Sequence, residues 1–225
     1  RMGCSIYRFR PYSCRYYGFY SPVPEVLFCA FHRYSIIYSV KNFYDIVPLA
    51  KEFLELRNDY NIFTAKTDEE KIEAMYQAGY DLYFQDKRDK SLTYLLQAIS
   101  IDQWHWKSNF QLSQLFYSEG NVEEAIKFAE RALNKNPHNR DIKIHLSLLY
   151  ILQHRIIDAG NLILDILSED RTHKIALSIM GYLFYLSGKK EEACIYSQKA
   201  LSIDPELPMA KRVMEFLRDA SNCNT

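Results

Sequence analysis

Apolar side chains fall at helical spacing through most of this chain, and the first 44 residues are the exception. There Pro11, Gly18, Pro22 and Pro24 interrupt the sequence, and no helical period is sustained. Periodicity begins with Leu49, Phe53 and Leu56, behind Asp45 and Pro48, which read as a helix start; Asn58 to Asn61 reads as its end. Thr67-Asp68-Glu69-Glu70 is a capping box, in which the threonine hydroxyl accepts from the third backbone N–H and Glu70 reaches back, so a new helix starts there. The most informative stretch runs from Gly120 to Asn139. Gly120 closes one helix, Ala125, Ala129 and Ala132 form a small-residue stripe that lets two helices approach closely, and Pro137 ends the second helix. The pattern returns from Gly188 to Asp204, ahead of Pro205, at twice 34 residues. A helix–turn–helix unit recurring every 34 residues is a solenoid signature. After Pro208 a last helix, about Met209 to Ala220, carries Val213, Met214, Phe216 and Leu217 inward and Lys211, Arg212, Glu215, Arg218 and Asp219 outward; Ser221 to Thr225 is a polar tail.

The frame can be written without insertion or deletion as 72–105, 106–139, 140–173 and 174–207. Its eighth position is small (Gly79, Ser113, Ser147, Gly181) and its eleventh large (Leu82, Phe116, Tyr150, Phe184). Position twenty holds Ser91, Ala125, Ala159 and Ala193, and position twenty-seven Ala98, Ala132, Ile166 and Ala200. This pattern resembles the tetratricopeptide repeat family, the second and fourth units most strongly. The resemblance implies an all-α, right-handed superhelix of four repeats. Residues 45–71 would be an N-terminal capping helix and linker, and residues 208–220 the helix that closes the array. The chain departs from the family in several places. The proline position holds Gln103 and Arg171 in the first and third repeats, the turn glycine is replaced by Asp86 and His154, and the consensus tryptophan by Met75, Asn109, Lys143 and Leu177.

In such arrays the first helix of each pair lines a concave face through positions two, five, nine, twelve and thirteen. The first repeat then contributes Glu73, Tyr76, Tyr80, Tyr83 and Phe84, and the second Lys107, Phe110, Gln114, Tyr117 and Ser118. Asp141, Ile144, Leu148, Ile151 and Leu152 come from the third, and Ile175, Ser178, Tyr182, Tyr185 and Leu186 from the fourth. That surface is aromatic and aliphatic, larger than a lone soluble protein usually leaves to water, so the expected occupant is a partner's helix or extended peptide. The chain's own residues 7–44 are the alternative occupant, and the third reading is that the repeats pack so tightly that little groove exists. Family members that clamp the C-terminal carboxylate of heat-shock chaperones use lysine, arginine and asparagine where this chain has Tyr76, Tyr80, Gln111, Asp141 and His145. Tyrosines and an aspartate do not pair a carboxylate, and the clamp is excluded in that alignment.

Charge alters the picture only locally. Twenty-eight basic and 28 acidic side chains cancel over 225 residues, which removes any global attraction to nucleic acid or membrane. Residues 1–44, however, carry Arg1, Arg8, Arg10, Arg15, Arg33 and Lys41 against Glu25 alone. Thirteen of the chain's 18 tyrosines and 13 phenylalanines also lie there. An arginine-rich, acid-poor N-terminal arm suits an organelle targeting segment or its remnant, and mitochondrial location is the expectation, cytoplasmic the alternative. Arg8, Arg10 and Arg15 with Tyr16 and Tyr17 also suit RNA contact, phosphates on guanidinium and bases on rings. Five scattered cysteines without a C-x-x-C pair argue against a disulfide framework or zinc site and for a reducing compartment. No apolar run is long enough to span a membrane. His105, His138 and His173 lie at equivalent repeat ends, one solenoid turn apart, and read as exposed loop residues, while Trp104 and Trp106 read as junction packing. His145 points to the groove, where it either titrates near neutral pH or, as the favoured role, holds a hydrogen bond. Without a phosphate loop, metal motif or nucleophile arrangement, no catalytic residue, metal or cofactor is assigned. The function expected is a protein-interaction scaffold, as an accessory structural subunit of a large mitochondrial complex. An assembly factor or import adaptor holding a client helix, and a ribosome-type RNA-associated subunit, stand as alternatives.

Overall fold

Helix starts keep time along this molecule. The computed structural model describes residues 46–218, and in the unit from Phe53 onward it places nine complete helices after the one that opens the described region. They are α1 (Ile46–Thr64), α2 (Asp68–Phe84), α3 (Arg88–Ile101), α4 (Trp106–Ser118) and α5 (Val122–Lys135). α6 (Arg140–Leu152), α7 (Ile156–Glu169), α8 (Lys174–Leu186), α9 (Lys190–Ile203) and α10 (Pro208–Arg218) follow. The even-numbered helices from α4 to α10 and the odd-numbered ones from α3 to α9 each begin 34 residues apart, and no strand occurs among the described residues. α2 opens four residues ahead of the repeat frame, at the expected Thr67 cap. Glu70 N–H donates to Thr67 Oγ1 (3.1 Å), while the Glu70 carboxylate accepts from the N–H of Lys66 (2.8 Å), one residue earlier than the motif implies.

Each helix packs chiefly on its sequence neighbours, so the fold is an α-solenoid. Within a pair the helices cross at the small positions. Ser91 Oγ donates to the carbonyl of Gly79 (2.7 Å), and Ser113 Oγ to that of Ala125 (2.7 Å). A Cβ on Gly79 would stand 2.7 Å from Leu95 Cγ, and one on Gly181 2.5 Å from Ser197 Oγ. Both glycines are therefore demanded by approach. Around these crossings the core falls into several buried clusters, the largest holding Ala125, Ala129, Leu146, Leu149, Ile163, Ile166, Ile179 and Leu183.

All four turns inside the pairs have one geometry. Asp86, Gly120, His154 and Gly188 adopt φ of 60°, 82°, 58° and 75°. In each turn the following N–H reaches back five residues, as in Asn121 N to Phe116 O at 2.9 Å and Arg155 N to Tyr150 O at 2.8 Å. The replaced turn glycines thus left the backbone unchanged, and side-chain-bearing residues hold the left-handed conformation at a cost of about 1–2 kcal/mol. His154 is exposed. We expect His154→Gly to raise stability by about 1 kcal/mol, read as a higher urea midpoint; no gain would mean that the histidine is unstrained there.

The consensus tryptophan position is buried in every repeat, although its residues differ. Met75, Asn109, Lys143 and Leu177 are all nearly inaccessible. Asn109 gives its amide to the carbonyls of Gln103 (3.0 Å) and His105 (2.9 Å), and Lys143 sends its ammonium to Asp165 (2.5 Å) with Glu169 at 3.9 Å. A buried cation needs such partners.

Several elements differ from the sequence reading. α1 runs to Thr64, because Asn58 is not a stop but a buried residue whose amide donates to Asp81 Oδ2 (3.1 Å), beside the Arg57–Asp81 ion pair (3.0 Å). Glu55, paired with Lys87 and Lys90, and Asp59, which accepts from Tyr94 (2.6 Å), add to this largely polar seat. In α10 Val213, Met214 and Leu217 are buried, but Phe216 is 47% exposed and stacks on Tyr185 at 5.5 Å. Trp104, expected to pack, is also about half exposed. His105 and His173 are not free loop residues. Their Nδ1 atoms accept from the N–H of Ser108 (3.4 Å) and Ala176 (3.2 Å), capping α4 and α8 as Asn139 caps α6. Only His138 is open to solvent in the expected way. Cys194 is disulfide-bonded, where the sequence argued against a disulfide framework and for a reducing compartment. No helix of the described residues is long and apolar enough to cross a membrane. The N-terminal arm with Arg8, Arg10, Arg15, Tyr16 and Tyr17, its fold-back into the groove, and the tail lie outside the described residues.

Candidate functional site

The twenty lining positions expected from the repeat frame sit on the first helices of the pairs, and all but the buried Ser178 are half-buried or exposed. They assemble as four groups rather than one unbroken strip. On α2 the four-residue period stacks Tyr76, Tyr80 and Phe84 along one line, with ring centres 6.0 and 4.8 Å apart, and Tyr83 meets Phe84 edge-on at 5.5 Å. Phe84 is 69% exposed and Tyr80 37%, while Tyr76 and Tyr83 lean partly on the core. Leu54, Tyr80 and Phe84, with Asp81 and Gln85, line an open hollow of about 390 Å³ between α1 and α2. A second hollow, about 290 Å³ and more polar, lies between α1 and α3 around Glu55, Asp59, Lys90 and Tyr94.

The second group centres on a residue from the next repeat. His145 of α6 stands edge-on to Phe110 (5.5 Å) and Tyr117 (5.9 Å) of α4. Its Nε2 lies 2.9 Å from Ser113 Oγ, which already donates to the carbonyl of Ala125. The serine oxygen therefore accepts, and the imidazole is the Nε2–H tautomer. Gln114, on the same helix, makes no side-chain hydrogen bond to the described residues. In the third group Ile144, Leu148 and Ile151 are half-buried against the main core and belong as much to the packing as to the face. In the fourth Tyr182 and Tyr185 stack at 6.4 Å, and Phe216 extends them onto α10. Phe216 was missed because a helix of mixed pattern gave its ring an inward assignment.

Charges on this face are few. Glu73 and Lys107 pair at 2.7 Å across the first two repeats, with His105 at 3.6 Å from the same carboxylate. Burial lowers the His105 titration, and it holds His145 down at about 4, so the near-neutral option for His145 is overturned. An unfolded histidine titrates near 6.5, so between about 4 and 6.5 the unfolded chain binds more protons than the folded one. Stability from this site is complete above about pH 6.5 and is lost as pH falls towards 4, by up to about 3 kcal/mol. Replacing His145 with glutamine, which keeps a donor for Ser113, should flatten the acid limb of urea melts between pH 7 and 5. An unchanged slope would show that the ring is solvated.

Among the described residues no three His, Cys, Asp or Glu side chains are grouped to hold a metal ion. The arrangement offers ring faces, phenol groups and a shallow apolar floor, which is chemistry for holding a chain. Tetratricopeptide repeat models match residues 89–180 and 176–207. A search of curated proteins gives no match. Among solved structures, a tetratricopeptide repeat protein from Parabacteroides merdae aligns over 77% of this chain and 68% of its own, at 18% identity and a TM-score of 0.66. YrrB, described as a TPR protein with an unusual peptide-binding site, aligns over 73% and 89% at 14% identity and 0.60. The APC/C hetero-tetramer Cut9–Hcn1 aligns over 65% and 29% at 12% identity and 0.57. At such identities the likeness is one of fold.

Proposed function

This chain belongs to the tetratricopeptide repeat proteins, and from that premise we propose that it is a non-catalytic scaffold, an accessory structural subunit of a larger multiprotein assembly in mitochondria. The observation that carries the scaffold reading is the row of rings on α2 and α4. Tyr80 and Phe84 are exposed, in line on α2 and bordered by an apolar hollow, and Tyr117 is exposed on α4, surfaces of the kind proteins bury against one another. Solved proteins of the same fold are described as peptide-binding, in YrrB, and as part of a hetero-tetramer, in Cut9–Hcn1. The organelle rests on residues 1–44 alone, whose arginines outnumber their single acid.

Native purification with quantitative mass spectrometry is the test. A subunit comes down in fixed stoichiometry with the same neighbours through successive columns, and fractionation finds it with mitochondria. Substoichiometric recovery with changing clients would point to an adaptor instead. Recovery alone, with no neighbour, would overturn the scaffold reading.

A further inference from the structure

We propose that the occupant of the aromatic face is a charge-poor, proline-rich segment in the extended polyproline II conformation, an inference that rests on the groove reading above. Charge matching is the first argument. Of the lining positions only Glu73, Lys107 and Asp141 are charged, and the first two neutralise each other at 2.7 Å. A charged ligand would leave water for a face with almost nothing to pair it, so the complementary partner is itself nearly uncharged.

The second argument is the state of the phenols. On the outer helices Tyr94 gives its hydroxyl to Asp59 (2.6 Å), and Tyr150 on α6 gives its own to Glu130 (2.7 Å). The hydroxyls of Tyr76, Tyr80, Tyr117, Tyr182 and Tyr185 make no hydrogen bond to the described residues. Among the described residues they are donors without acceptors. A helical ligand satisfies its own carbonyls along its length, whereas a polyproline II segment leaves each of them open. Its prolines also bring no N–H in need of an acceptor, which suits a face that supplies few. The four-residue ladder of Tyr76, Tyr80 and Phe84 adds flat surfaces on which pyrrolidine rings can lie, and the ligand is ordered before it binds.

Fluorescence anisotropy with the full chain tests this. The probe is a labelled twelve-residue peptide alternating proline with alanine and leucine; an uncharged amphipathic helical peptide of equal length and a peptide of residues 7–44 are the comparisons. The proline-rich probe should bind at least tenfold tighter than the helical one. The Tyr80→Phe, Tyr117→Phe double variant, which keeps the rings and removes two donors, should weaken it about tenfold. Unchanged binding by that variant, tighter binding of the helical peptide, or better displacement by the 7–44 peptide than by unlabelled probe each overturns the proposal. In the last two cases the groove reading survives. If no peptide binds, the ligand class is wrong, and native recovery of neighbours then decides whether the groove reading fails with it.

Discussion

Replacing Tyr80 and Tyr117 together by alanine should release the proposed partner and leave the helices intact. These two were chosen because the structure separates them from their neighbours: they are 37% and 48% exposed and belong to none of the buried clusters, whereas Tyr76, Tyr83, Tyr182 and Tyr185 lean on core residues. Their loss removes two flat surfaces from α2 and α4 at little cost to the fold. Interface tyrosines of this kind carry about 2 kcal/mol each when truncated, so affinity should drop by about a thousandfold. Co-purification should fail while far-ultraviolet circular dichroism and the melting midpoint stay near those of the parent. A variant that loses helicity would place these rings in the core and remove the groove.

Gly181→Leu should do the reverse, destroying structure before any partner is involved. The new Cβ would lie 2.5 Å from Ser197 Oγ, 3.1 Å from Ser197 N and 3.3 Å from the carbonyl of Ala193. A hydroxyl can turn aside but two backbone atoms cannot, so α9 must lift off α8. Overpacking costs about 1–3 kcal/mol for an extra methylene or two, and a whole leucine at a helix crossing exceeds that. Because solenoid stability is summed over neighbouring units, the loss should be confined to one end, with amides of α8, α9 and α10 exchanging fast and those of α4 to α6 still protected. Gly160→Ala is the control. Nothing lies within 4 Å of a Cβ there, and ordinary helix propensity should raise stability by about 1 kcal/mol. Uniform exchange across the chain would mean that the array melts as one unit.

The fold was legible because its constraints repeat. Close crossings at Gly79, Ser113 and Gly181 and turns at Gly120 and Gly188 mark the same frame, and two good units reveal their weaker neighbours. What stayed hidden depended on contacts between units. Nothing in the segment around Lys143 says that its ammonium meets Asp165 and Glu169 on the following helix. Histidine is a rare cap, so His105 and His173 looked like loop residues, though their equivalence with Asn139 in the frame was the clue. The end of α1 was misplaced because Asn58 satisfies Asp81 instead of the backbone. At the groove, positions came from the frame, but exposure could not. The burial of Ile144, Leu148 and Ile151 against the core depends on how α6 tilts, and the ring of Phe216 on Tyr185 depends on the closing helix.

Because every helix from α4 onward starts in step, the third repeat is a portable cassette. Excising residues 140–173 would join Asn139 to Lys174 and hand α8 the asparagine cap that now serves α6. Lys143 would leave together with both of its carboxylates, while Glu130 would lose Tyr150 and Arg155 and turn to solvent. The shortened chain would surrender the perch of His145 against Ser113 while keeping the tyrosine ladders at either end, now one unit closer. Span, in this architecture, is a quantity that deletion can adjust in whole steps.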